Sequence, residues 1–398
     1  MPKIADYEGI VSAAELAELE RQAEGLRGLS LLHINSTRDG GGVAELLHSL
    51  IPLFNDLGIK TRWEVIEGTP LFFRTTKGFH NALQGAKVDI TSKMLEEYKR
   101  VNHLNAERLD LRADLVMVHD PQPAALIEHK DRGKWIWRCH IDLSKPDRDA
   151  WALLVPYLER YDAAVFSLKE FTQALPIPQY IVPPSIDPLS EKNRDLPPGK
   201  IDEVYERYGI NKDKPIILQV SRFDRFKDPL GVIEVYRLVR EDIPCRLVLA
   251  GGAASDDPEG AEVYQEVQRA AERDPEIHVL NLPPRSDIEI NALQRGADVI
   301  IQKSLREGFG LTVTEALWKG KPVVATAVGG IRLQVIDGKT GLTARSIPEA
   351  AERVKYLLQH PEIARRLGEA GREHVRKNFL ITRHLSDYLR IYSSLLPR

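Results

Sequence analysis

The feature that most restricts the fold is an alternation that runs along the chain twice. Strand-like runs, Leu29 to Asn35, Thr61 to Ile66, Leu115 to His119, Lys134 to Cys139 and Ala163 to Leu168, are separated by stretches with helical spacing. Strands that alternate with helices run parallel, because each crossover returns the chain to the same end of the sheet. The pattern restarts with Pro215 to Val220, Cys245 to Ala250, Ile277 to Leu282, Asp298 to Ser304 and Pro322 to Val328. The sequence therefore predicts two α/β domains, with no detectable sequence repeat between them. Residues 1–185 form the first, the Pro-rich stretch 186–200 a linker and 201–380 the second. The tail, 381–398, is a helix by the spacing of Leu385, Tyr388, Leu389, Tyr392 and Leu395, able to pack on either domain.

With 398 residues and 43% hydrophobic content, each domain has enough apolar material for its own core. A net charge of −3 gives no footprint for nucleic acid. There is no run of about 18 apolar residues and no leader pattern near Met1, so the expected location is cytoplasmic, with no membrane partner. Cys139 and Cys245 lie far apart in apolar runs, which suggests neither a disulfide nor a thiolate metal site. Cys139 precedes His140, but neighbours on a strand point to opposite faces, so a thiolate–imidazole pair is not expected.

In open parallel sheets ligands collect at the carboxyl ends of strands. After the run ending at Ser304 comes Glu307-Gly308-Phe309-Gly310-Leu311-Thr312-Val313-Thr314-Glu315, a glycine turn into a helix, Leu311 to Lys319, closed by Gly320. Two glycines and a helix start let amide groups approach a phosphate. Glu307 and Glu315 would repel a bare phosphate, yet ionised carboxylates accept hydrogen bonds from sugar hydroxyls. A ligand that is part diphosphate and part sugar meets both demands.

The second domain's first strand ends in Ser221-Arg222-Phe223-Asp224-Arg225-Phe226-Lys227, where Arg222 and Lys227 suit an anion clamp. In the first domain Gly40-Gly41-Gly42 lacks the residues of a P-loop and reads as a backbone wall that a substrate passes closely. His119-Asp120 and His140-Ile141-Asp142 stand at strand ends, where a lone histidine is more often structural than catalytic. Asp337-Gly338-Lys339-Thr340-Gly341 has Leu333 where a P-loop needs its leading glycine, and reads as a turn.

Taken together, these residues resemble the retaining nucleotide-sugar glycosyltransferases of family 4. The likeness is greatest to the trehalose glycosyltransferring synthases, and covers nearly all of the chain beyond residue 28. It is carried by Asn35-Ser36-Thr37, Gly40 to Glu45, Phe79 to Gly85, Val118 to Ala125, Trp137 to Asp142, Pro183 to Asn193 and Arg306 to Val323. The resemblance implies the GT-B fold, with two Rossmann-like domains facing across a cleft. It also implies transfer of glucose from a nucleoside diphosphate glucose (UDP- or ADP-glucose) to free glucose, giving α,α-trehalose. By the same resemblance Arg222 and Lys227 bind the diphosphate, Glu315 the ribose and Glu307 the donor sugar, with Gly308, Phe309, Gly310, Leu311 and Thr312 around the donor. His140 falls near the donor's 6-hydroxyl and reacting carbon, and Gly41, Gly42 and Asp120 fall around the acceptor. No cofactor is implied and no metal ligand can be named, with stimulation by magnesium and a homodimer left open. So is the part Glu307 plays, as a nucleophile or as a holder of sugar hydroxyls. A retaining trehalose phosphorylase and a non-catalytic sugar-nucleotide binding protein are the alternatives.

Overall fold

The computed structural model describes residues 2–39, 41–252 and 260–396. The chain forms two compact units, Met1–Pro184 with Ile381–Arg398, and Ser185–Leu380.

In the first unit β1 (Ser30–Asn35), β2 (Lys60–Val65), β3 (Leu115–His119), β4 (Lys134–Arg138), β5 (Ala163–Phe166) and β6 (Gln179–Ile181) make one sheet in the order β2-β1-β3-β4-β5-β6. Every pairing is parallel. All five residues of β3 are buried, as a strand covered by helices on both faces requires. The chain leaves β1 toward β2 on one side and returns to β3 on the other. Connections diverge between β1 and β3, the place where an open sheet leaves a crevice at its carboxyl edge.

The second unit repeats the design. Its strands are β7 (Ile216–Val220), β8 (Arg246–Gly251), β9 (Ile277–Asn281), β10 (Val299–Gln302), β11 (Val323–Ala325) and β12 (Leu342–Thr343), in the order β12-β11-β10-β7-β8-β9 and again parallel. Here the divergence falls between β7 and β10.

Three expectations are refined. Pro52 predicts a kink in the helix that follows the glycines, whereas the helix Gly42–Asp56 runs unbroken through it. The stretch 186–200, expected as a linker, lies within the second unit. Its polar groups are used there: Asn291 Nδ2 donates to the Glu191 and Arg194 carbonyls at 2.8 Å each, and buried Asn193 accepts from Lys319 Nζ at 3.0 Å. The C-terminal helix Ile381–Leu395 belongs to the first unit, and its Leu385, Tyr388, Leu389 and Tyr392 are fully buried. Among the described residues no helix is long and apolar enough to cross a membrane.

Candidate active site

Because β7 and β10 are neighbours, the loops that follow them emerge together at the carboxyl edge of the second sheet. The single turn Arg225–Lys227 is opened by Asp224, whose carboxylate accepts from Phe226 N at 2.7 Å. Asp228, at φ 49, closes it and caps the helix Pro229–Arg240 by accepting from Gly231 N at 3.1 Å. Lys303 forms an ion pair with Asp228, and Leu305 N donates to the Phe226 carbonyl at 2.7 Å, so the two loops are laced together. The lacing brings Lys227 Nζ to 2.6 Å from Glu307 Oε2. Ser304 Oγ adds a longer bond of 3.4 Å to the same oxygen. Arg222 keeps about a third of its side chain in solvent, its guanidinium 4.0 Å from Asp224 Oδ2.

Beyond Glu307 the turn is anchored by Phe309. Its buried ring meets Phe379 at 5.4 Å, and its carbonyl accepts from Gln334 Nε2 at 2.7 Å. Gly310, at φ 88 and ψ 64, swings the backbone into the helix Leu311–Trp318. Val313 N and Thr314 N return to the Gly310 carbonyl at 3.0 and 3.4 Å. The amides of Leu311 and Thr312 precede any intrahelical acceptor, which leaves the helix start suited to an anion. The loop after β11 packs against this turn: a Cβ at Gly329, φ 48, would lie 1.6 Å from the Glu307 carbonyl oxygen. One turn into the helix, buried Glu315 places Oε1 3.9 Å from Lys192 Nζ. The sequence reading passed over Lys192, because it placed that residue in a linker.

In the first unit the loop after β1 is tied down by Asn35, which accepts from Trp63 Nε1 at 2.9 Å and donates to the Thr37 carbonyl at 2.7 Å. Arg38 lies over the Trp63 ring at 4.4 Å. Gly41, at φ 84, opens the helix Gly42–Asp56, and both glycines are exposed. Gly40 falls outside the described residues. Asp120 follows β3 in the left-handed region, φ 65, and its Oδ1 accepts from His140 N at 2.7 Å. Asp120 N donates to the Arg138 carbonyl at 2.8 Å, and its own carbonyl accepts from Trp137 Nε1 at 3.0 Å. Asp120 thus pins the end of β3 to the chain around His140.

His140 is the outer member of a chain of three imidazoles. Its Nε2 lies 3.0 Å from His119 Nδ1, and His119 Nε2 lies 2.9 Å from His33 Nδ1. Burial lowers the His33 pKa to about 3 and depresses those of His119 and His140 strongly. The Arg138 guanidinium pushes the latter two the same way. All three rings are therefore neutral near pH 7. Cys139 is a buried free thiol whose pKa burial raises well above the ordinary value, so it is no nucleophile. His33 went unremarked in the sequence, although a histidine inside the apolar run Leu31-Leu32-His33-Ile34 was the available signal.

The second unit thus brings together Arg222, Lys227, Glu307 and the helix start after Gly310, and the first unit assembles Asp120 and His140. Family comparison gives these groups a context. The family described as "Trehalose synthase, N-terminal domain" matches residues 33–173, and "Glycosyl transferases group 1" matches residues 200–374. Trehalose synthase from Pyrococcus horikoshii is 50% identical over 404 aligned residues, covering 99% of this chain and 96% of its own. The chain belongs to the trehalose synthase family. It is a trehalose-related glycosyltransferase.

Trehalose phosphorylase from Pleurotus pulmonarius is a more distant relative of this trehalose synthase family member, 28% identical over 434 aligned residues that cover 94% of this chain and 58% of its own. Among solved structures, an α,α-trehalose-phosphate synthase (UDP-forming) from Burkholderia xenovorans superposes with a TM-score of 0.73 at 13% identity, covering 92% of this chain and 100% of that one. At that identity the likeness concerns the fold, which is GT-B.

Proposed function

We propose that this member of the family transfers a glucosyl group, with retention of configuration, from a nucleoside diphosphate glucose to free glucose, forming α,α-trehalose and the nucleoside diphosphate. The observation that carries the reading is the placement of Lys227 at 2.6 Å from Glu307, beside a helix start, where the connections of the second sheet diverge.

In this reading Arg222, Lys227 and the amides of Leu311 and Thr312 hold the diphosphate. Breaking the anomeric C–O bond places negative charge on the departing phosphate, and cations fixed there stabilise the transition state more than the ground state. Glu307 accepts from donor-sugar hydroxyls and Glu315 from the ribose. Glu307 is not assigned as nucleophile: its carboxylate is occupied by Lys227 and Ser304. The leaving phosphate itself takes the proton of the incoming hydroxyl on the same face of the sugar. His140 serves the donor sugar. Asp120 supports it through the His140 amide, and Gly41 and Gly42 offer bare backbone to the acceptor.

The test is NMR product analysis after incubation with glucose and either UDP-glucose or ADP-glucose. Joint appearance of an α,α-linked disaccharide and free nucleoside diphosphate supports the reading, and the faster donor identifies the base. If neither forms, and phosphate with trehalose instead yields glucose and glucose 1-phosphate, the enzyme is a phosphorylase.

A further inference from the structure

His33 lies two residues before the end of β1, His119 ends β3, and His140 lies two residues past β4. Since β1, β3 and β4 are adjacent in that order, the three rings step across the sheet and out beyond its carboxyl edge. Successive rings are also stacked, with centroids 5.2 and 5.3 Å apart and planes within 25° and 16°. The chain starts in the core, where His33 is fully buried against Phe54, and ends on half-buried His140.

A neutral imidazole has one N–H and one lone pair. Two hydrogen bonds through a central neutral ring must therefore run in the same direction. Either His33 Nδ1 donates to His119 and His119 Nδ1 donates to His140, which leaves the His140 proton on Nδ1, or both bonds reverse. Reversal puts the His33 proton on Nε2. That atom is buried and has no hydrogen-bond partner among the described residues. An orphaned buried N–H is among the rarest features of folded proteins, so the first direction is favoured. The guanidinium of Arg138, buried in the same region, opposes a third state in which one ring gains a proton.

We propose that His119 and His33 are positioning residues that hold His140 as its Nδ1–H tautomer, so that the ring offers the sugars a hydrogen-bond donor and no base. This deepens the assignment of His140 to the donor sugar and rests on it. A ring held in this way cannot take the proton of the incoming hydroxyl, which is the role given above to the leaving phosphate.

The experiment is long-range 1H–15N correlation on the full chain labelled with 15N-histidine, without substrate, between pH 6.5 and 8, with His140 signals assigned from a His140→Asn variant. The expected spectrum has a protonated Nδ1 and a bare Nε2 at His140. The variant His119→Phe is expected to mix the two tautomers and lower kcat by about 10- to 100-fold, with the donor KM changed far less. The variant His119→Gln, whose amide can accept from His33 and donate to His140, is expected to restore both the single tautomer and most of kcat. A bare Nδ1 at His140 in the unaltered protein overturns the proposal, and so does a His119→Phe spectrum with His140 unchanged. Turnover of His140→Asn separately tests the assignment on which the proposal rests: undiminished kcat there faults the place given to His140, while the tautomer is read from the spectrum alone.

Discussion

Lys227 and Glu307, to which the proposed function gives the diphosphate and the donor sugar, pair with only 18% and 10% of their side chains exposed, so each is the other's counter-ion. Lys227→Met is expected to lower kcat by about 10²- to 10³-fold, as for other fixed stabilisers of a leaving group. It should also cost about 1–3 kcal/mol of stability, because the buried Glu307 side chain loses its closest hydrogen-bond partner. Adding Glu307→Gln should recover most of the stability and none of the turnover. Thermal melts and initial rates on the two variants check this, and a single Lys227→Met variant that melts like the parent refutes the coupling. The residue types gathered at this candidate site were legible in the sequence, as a glycine turn between two glutamates and an Arg…Lys loop at strand ends. Their pairing was not, because 80 residues separate Lys227 from Glu307 and only the adjacency of β7 and β10 joins them. The imidazole chain was hidden for the same reason: His33, His119 and His140 become neighbours only through strand order.

Glycines that look alike in the sequence differ once the elements around them are known. Gly41 and Gly329 both have positive φ, 84 and 48. A Cβ at Gly41 meets nothing within 4 Å, whereas one at Gly329 would collide with the Glu307 carbonyl. In stability Gly41→Ala should therefore cost only backbone strain, about 1–3 kcal/mol, while any kinetic loss falls on the acceptor KM, because the proposed function turns that bare backbone toward the acceptor. Gly329→Ala should cost more, since the loop after β11 must also move off the turn that carries Glu307, and misplacing that turn should lower kcat by about 10²-fold. Chemical denaturation and kcat at saturating acceptor on both variants measure the contrast, and equal losses of stability and kcat would show that the close approach at Gly329 does not fix the turn. Ten of the strands were visible as strand-like runs, within a few residues of their observed ends: the inner ones because parallel strands buried on both faces are almost wholly apolar, and the edge strands Lys60–Val65 and Ile277–Asn281, only partly buried, because they are six and five residues long. The two that were missed, Gln179–Ile181 and Leu342–Thr343, are edge strands of three and two residues, too short to show any period. The stretch 186–200 misled for the opposite reason: its prolines suggest a linker, while the asparagine contacts that pack it come from distant residues.

Returning the last helix to the first unit gives that unit an acid-sensitive interior drawn from both ends of the chain. His33 and His119 come from the sheet, and His384 from the helix Ile381–Leu395, where it packs on Tyr388 at 4.5 Å. All three are essentially inaccessible to solvent, and burial lowers each pKa, to about 3 for His33. Arg138 acts in the same direction on His119 and His384, and Arg383 does so on His384. These histidines stay neutral in the folded unit while the unfolded chain takes up protons below about pH 6.5, so the folded state is penalised as acid is added. Stability is fully present above about pH 6.5 and is lost progressively as pH falls toward the folded-state values, near 3 for His33. With His140 of the same unit, lowered likewise by burial, four such groups give a limiting slope of about 5 kcal/mol per pH unit, steep enough to matter at pH 5 to 6, before most carboxylates titrate. The second unit has His278, half-buried and lowered by the same cause, so its loss should be smaller. Hydrogen–deuterium exchange at pH 7 and pH 5.5, corrected for the intrinsic pH dependence of exchange, should show protection falling in β1, β3 and the C-terminal helix while β7 and β10 hold. His384→Phe, which removes one proton-binding group and keeps an aromatic ring, should shallow the slope by about a quarter, and an unchanged slope would remove His384 from the set that makes the first unit acid-labile.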